Sequence, residues 1–404
     1  MKSFVHIQQD SSKIIGLMPI FMVVSLVYFS VNISWGIALP ILLGKTVITV
    51  NIVDNQVFWF GCFAGIYSLG QLLSYNIVGI LCDRYGRKYI MVRSLLIFAL
   101  MHLILALAIY KGHFFWILIA RFVTGLFANY IHIGQSMIID RVEESERKRF
   151  LNYYYVFANL PFAIVPFIFS MTLYRDLSTQ PALYLVMPFM LLSALVILLV
   201  YWLQYYYRDP YVKQHDQHVS SFYWKRLKDS QARMQYGINF LIFTMMAIFY
   251  TAYPILLITS LDFTMDYQGY IIAFNNVVCM SSSILLIPFI MNKYDTSQLL
   301  NTNLILCALA SIILLSVTNT ATYLMAVLCI CLNLCMLLPL CVTIIAKHVE
   351  SHNQCKNLSI NQSIKLLTKI IFPPLVGYWL DWGGQIAWIV LFVLALTNGL
   401  GSSK

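Results

Sequence analysis

Charge is the scarcest property of this sequence. Only 10% of its 404 residues are Asp, Glu, Lys or Arg, where a soluble domain carries about a quarter. That is too little to coat the two soluble domains such a length would allow. The nine cysteines form no CxxC and no paired spacing, which argues against a zinc ribbon or a disulfide framework. Cys329, Cys331, Cys335 and Cys341 crowd one apolar run, where cysteine packs as a small hydrophobe. No HExxH, nucleophile–base pair or phosphate-binding loop occurs, so neither an enzyme nor a cofactor is expected. The net charge of +10 is not gathered into a compact basic domain, so nucleic acid is not an expected partner.

What the chain has in excess is apolar length. Hydrophobic residues make up 60% of it, and the mean hydropathy is +0.77. Twelve runs long enough to cross a bilayer can be read: 16–43, 57–81, 89–110, 114–139, 150–174, 183–205, 236–260, 267–291, 298–317, 321–346, 358–379 and 385–400. Continuous runs of this kind favour helices over a transmembrane barrel, whose strands alternate. The expected fold class is an all-α polytopic membrane protein, with the lipid bilayer as its surroundings. The first run is too long for a cleavable signal peptide, and no small-residue cleavage site follows it.

Orientation follows from the basic residues. With both termini on one side, that side holds twenty of the 26 Lys and Arg residues. The other side holds Lys45, Lys111 and Arg175, while Arg121, Lys365 and Lys369 fall inside spans. The positive-inside rule therefore places both termini in the cytoplasm, with the chain in the cytoplasmic (inner) membrane. Cysteine labels introduced at positions 215 and 350 of a cysteine-free background should react only from the cytoplasm, and one at 176 only from outside. A reversed pattern would overturn this orientation.

The polar stretch from Tyr206 to Gln235 separates six spans from six. It predicts an N-terminal six-helix bundle over 1–205, a cytoplasmic linker over 206–235 and a C-terminal bundle over 236–404. The halves echo one another. Ala38-Leu-Pro-Ile-Leu-Leu43 in span one matches Ala252-Tyr-Pro-Ile-Leu-Leu257 in span seven at five of six positions, and Asn292-Lys-Tyr294 stands after span eight where Asp83-Arg-Tyr85 stands after span two. A parallel duplication of six helices is a transporter signature.

Between spans two and three lies Gly79-Ile-Leu-Cys-Asp-Arg-Tyr-Gly-Arg-Lys88. It resembles the loop motif of the major facilitator superfamily, G-x-L-x-D-R/K-x-G-R/K-R/K, through Gly79, Leu81, Asp83, Arg84, Gly86, Arg87 and Lys88. The resemblance implies two pseudo-symmetric six-helix bundles working by alternating access, and a conformational latch formed by this loop. In that latch the glycines allow a tight turn and close helix approach. Asp83 would face a helix N-terminus of the other half or pair with a neighbour such as Arg93. Arg121 with Gly125 in span four resembles the family's R-x-x-x-G motif, which is tied to proton transfer in proton-coupled members. The turn Asp140-Arg-Val-Glu-Glu-Ser-Glu-Arg-Lys-Arg149 resembles the second charged cytoplasmic turn, and the segment from Pro373 to Gly384 the close of helix eleven. One departure stands out: antiporters of the family often carry G-P-x-x-G-G in span five, whereas residues 150–174 contain no glycine and keep only Pro161 of that pattern.

No acid is assigned to a span interior, but three bases are. Such a base costs roughly 2.5–3.5 kcal/mol on insertion scales, so it lines a cavity or finds partners. Lys365 and Lys369 are four apart, on one helical face with Asn361 and Thr368, at depths of roughly 12 and 18 Å. They read either as a clamp for an anion or as a structural link to carbonyls within the bundle. Arg121 and His132, eleven residues apart at about 100° each, would share a face of helix four. Arg121 reads as a substrate or proton-coupling group, or as a fixed hydrogen-bonder. His132 reads as a proton carrier, or as a satisfied core histidine. Asn32 in span one, with Tyr250 and Tyr253 in span seven, could line the same cavity or simply pack. His102 is set aside, because the resemblance places helix three at the periphery. The expected function is a monomeric secondary transporter of a small, anionic organic solute, with protons as the coupling ion. The alternatives are multidrug or metabolite efflux by proton antiport, and a signalling or scaffold protein on the same fold.

Overall fold

The computed structural model describes residues 2–46, 48, 55–128, 130–143, 146–175, 177–206, 230–316, 319–347, 354–383 and 385–401. All regular structure among them is α-helical: α1 Lys2–Leu42, α2 Gln56–Tyr85, α3 Arg87–Tyr110, α4 Phe114–Leu126, α5 Tyr130–Ile139, α6 Arg147–Met171, α7 Ala182–Tyr206, α8 Ser230–Thr259, α9 Met265–Lys293, α10 Thr296–Ser316, α11 Thr320–Lys347, α12 Gln354–Trp382 and α13 Gln385–Gly401. Each expected span is matched by a helix, except that span four is two. In hydrocarbon only a helix satisfies its own backbone, which is why apolar runs of this length fold so. Most of the expected linker, residues 207–229, lies outside the described residues.

Among the described residues, nine helices are long and apolar enough to cross a membrane. The other three spans depart for visible reasons. Lys365, Lys369 and Asp381 dilute α12, α13 has only 17 residues, and span four is cut at Phe127–Ala128. At this cut α2 comes close. A Cβ on Gly70 would collide with the Phe122 carbonyl and lie 2.7 Å from the Leu126 nitrogen. Gln71 Nε2 donates to the Ala128 carbonyl at 3.4 Å, taking up one of the acceptors the break releases.

Helices α2 and α3 are joined by Gly86 alone, at φ +90°. A side chain there is strained by about 1–2 kcal/mol, so Gly86→Ala should lower the melting midpoint of the detergent-solubilised protein. Gly79 differs from its expected role, since nothing lies within 4 Å of where its Cβ would stand. Close helix approach is therefore not its reason. Gly79→Ala should leave the midpoint unchanged or raise it, because alanine is the better helix former. Equal effects at the two positions would contradict this reading.

The chain divides into two compact units. One comprises Met1–Asn51 with Leu69–Asp216, the other Ile52–Ser68 with Gln217–Lys404. Within the first, α3 packs along α7 and α4, and α1 along α6 and α7. Within the second, α10 packs on α11 and α13, and α8 on α12 and α13. The echoed prolines, Pro40 and Pro254, both lie inside helices near their C-terminal ends.

Candidate functional site

In the first unit a cation, Arg121, lies in the core. Helix α4 buries Ile117, Ala120, Arg121 and Thr124, the i, i+3, i+4, i+7 face expected of a packed helix. Arg121 stands in the middle of that face and is 1% exposed. His102 of α3 is buried as well, on a different face of that helix from its exposed leucines. Its Nδ1 is 2.8 Å from the Phe98 carbonyl, which can only accept, so Nδ1 carries the proton. In the neutral ring, Nε2 then accepts from the Ser30 hydroxyl of α1. The Arg121 charge reaches His102 electrostatically. The imidazole packs between the rings of Phe98 and Phe189, at 4.1 and 6.1 Å.

His132 sits on α5, beyond the break, and its half-buried ring meets Tyr75 edge-on at 5.0 Å. The face shared by Arg121 and His132 was derived for one continuous helix, and the break at Phe127–Ala128 removes that derivation. Asn32 donates to the Tyr28 carbonyl of its own helix at 2.8 Å.

In the second unit, Asn239 of α8 donates to Asn361 Oδ1 of α12 at 3.0 Å. One turn on, Lys365 Nζ lies 5.9 Å from the centre of the Phe243 ring, so α8 and α12 are joined by a polar rung and then a cation–π rung. Lys369 follows on the same face and carries exposed surface. Helix α12 has a second, quite different exposed stripe: Leu367, Ile371, Leu375, Tyr378 and Trp382. At 100° per residue that stripe centres about 140° from the midpoint of the lysines. The two lysines thus look away from the apolar surface of their helix.

Pro373 and Pro374 lack the N–H groups that would bond the carbonyls of Lys369 and Ile370. Those same carbonyls face Gly65 of α2, whose Cβ would stand 2.9 Å from Ile370 O and 3.4 Å from Lys369 O. Gly61 meets the Pro373 carbonyl and Gly377 the Val57 carbonyl, both too closely for any side chain. Thr368 donates to the Lys365 carbonyl at 2.9 Å.

Tyr253 is 3% exposed and stacked on Phe249 at 5.0 Å. Tyr250 is 36% exposed and meets Cys335 of α11, which also lies against Cys279 of α9. The eight cysteines with described side chains are free thiols. The sequence foretold neither the His102–Ser30 pair nor this thiol contact, because both depend on which helices become neighbours.

The loop motif is partly described. The side chain of Asp83 lies outside the described residues. Arg87 donates to the Ser136 carbonyl at 2.5 Å and pairs with Asp140, both at the end of span four. Lys88 Nζ donates to the Gln204 carbonyl in the last turn of α7 at 2.8 Å. Basic groups on the last carbonyls of a helix also favour its dipole. Arg84 lies over the Tyr85 ring and Arg93 over the Tyr89 ring.

Comparison with known proteins bears on the fold and the family. No curated protein matches the sequence. Among solved structures, the nucleoside transporter NupG superposes with a TM-score of 0.75 at 12% identity, covering 96% of this chain and 99% of its own. The human organic anion transporter MFSD10 (TETRAN) gives 0.70 at 14%, with 96% and 99% covered. A D-xylose-proton symporter gives 0.73 at 13%, with 96% and 97% covered. Identities this low establish the fold alone. The family model of the Major Facilitator Superfamily matches residues 20–338, and the chain, a multi-pass membrane transporter by fold, belongs to that superfamily.

Proposed function

We propose that the protein is a proton-coupled secondary transporter of a small organic anion, working by alternating access of its two six-helix halves. Both termini are cytoplasmic in this reading. The observation that carries it is the placement of Lys365 and Lys369 on the face of α12 turned from its apolar stripe. A third cation, Arg121, is buried in the other unit. Cations held inside a bundle of this kind give an anion electrostatic attraction that low dielectric strengthens. Asn239 and Asn361 offer neutral hydrogen-bonding groups on or near the lysine face, and Tyr250 offers a hydroxyl elsewhere in the same unit. His132 and Arg121 are the groups to which proton movement is assigned, and the Gly86–Lys88 turn with Asp83 serves as the latch.

The test is substrate-driven proton flux in inverted membrane vesicles, screened with pooled anionic and pooled cationic metabolites. Flux with anionic pools alone supports the reading. Flux with cationic or lipophilic pools alone replaces it by efflux, and facilitated uptake without proton movement removes the coupling.

A further inference from the structure

Helix α3 carries an exposed stripe of Tyr89, Leu96, Leu100, Leu103, Leu107 and Tyr110, with the exposed Arg93 in register between the first two. Tyr89 and Tyr110 are about 32 Å apart along the helix, close to the roughly 30 Å of a hydrocarbon core. They mark its two interfaces, as tyrosines on membrane-facing helices do. Arg93 then starts about 6 Å inside the apolar layer. An arginine there is costly unless it snorkels to a phosphate. Side chains of a helix lean toward its N-terminus, and Arg93 does so, lying 3.9 Å over the Tyr89 ring.

This contact is one part of a row. Tyr89 is 6.1 Å from Tyr85, and Arg84 lies over Tyr85 at 5.3 Å. Two guanidinium groups thus bracket two tyrosine rings, all four residues carrying exposed surface. Stacking engages the flat face of a guanidinium and leaves its in-plane N–H fork directed outward. That fork matches the paired oxygens of a phosphodiester. Among the described side chains, which do not include that of Asp83, no carboxylate pairs with Arg84 or Arg93. The Lys88 bond to Gln204 brings the end of α7 alongside, where Tyr201 and Tyr205 stack in the open at 6.3 Å.

We propose that the Arg84–Tyr85–Tyr89–Arg93 row is a binding site for the headgroup of an anionic phospholipid, whose acyl chains lie along Leu96 and Leu100. The leucine stripe that continues from the row commits the occupant to a lipid, since a soluble phosphate gains nothing from it. The site shares Arg84 and Arg93 with the latch but needs none of its residues for substrate.

The full-length protein, delipidated in detergent, is titrated with phosphatidylglycerol and with phosphatidylcholine, and bound lipid is counted by native mass spectrometry. The wild type should prefer phosphatidylglycerol by about 30-fold, the sum of two basic residues near a membrane surface. Arg84→Gln with Arg93→Gln should bring that preference to within about twofold, with no fall in melting midpoint. Arg84→Lys with Arg93→Lys should keep part of it, since charge remains without the fork. Glycerol phosphate in excess should not displace the lipid. The proposal fails if the wild type shows no preference, if the glutamine variant keeps it, if glycerol phosphate competes, or if the row becomes covered by a second copy of the chain.

Discussion

Lys365→Gln and Lys369→Gln should each raise the apparent KM for an anionic substrate, by about 10- to 100-fold. That range corresponds to losing one charge-assisted hydrogen bond of roughly 1.5–3 kcal/mol. Glutamine keeps much of the length and some hydrogen bonding while deleting the charge. The double variant should bind the anion hardly at all. Lys365 also touches the Phe243 ring, so a purely structural role predicts something else, a lower melting midpoint with little change in KM. Lys365→Met separates the two, because it deletes the cation while a flexible apolar side chain still packs on the ring. A cation carried equally well by wild type and double variant would end the clamp reading and return both lysines to packing.

Gly61→Leu should destabilise the second unit more than any other single glycine change discussed here. A side chain at Gly61 meets the carbonyl of Pro373 and the backbone of Pro374. Backbone atoms cannot swing aside as a flexible side chain can. Overpacking in a tight contact costs about 1–3 kcal/mol even where side chains yield, so the loss should reach at least the top of that range. Gly65→Ala should cost less, since its nearest obstacle is the Ile370 carbonyl at 2.9 Å. Gly79→Ala should cost nothing. The order Gly61, Gly65, Gly79 in melting midpoint is the check, and a Gly61→Leu protein as stable as wild type would refute the close contact.

The architecture was legible because hydrophobic length is a local property. Every span from 16–43 to 385–400 is matched by described helices. What the sequence concealed was local backbone disruption and helix neighbourhood. Span four looks continuous because Gly125, Phe127 and Ala128 are all admissible in a helix, and only the approach of Gly70 reveals where it parts. The derivation that aligned Arg121 with His132 went with it. The partner of His102 could not be read, because a sequence position does not say that Ser30 will stand opposite. Lys365 and Lys369 were legible as a face by their spacing of four, but the side of α12 they occupy emerged only from the exposed Leu367–Trp382 stripe. The roles of Gly61 and Gly65 could not be read, because the carbonyls they accommodate lie some three hundred residues further on.

The cut in span four bears on how the chain is made. Helix α4 has 13 residues and α5 has 10, about 20 and 15 Å long, and each is too short to cross the hydrocarbon alone. The carbonyls between them have no bonding partner in lipid and need a protein surface. Gln71 and Gly70, which provide it, lie more than forty residues earlier in the chain and leave the ribosome first. Span four therefore enters the bilayer onto a template already delivered. A nascent chain lacking α2 should stall at that step, although spans one and three are intact.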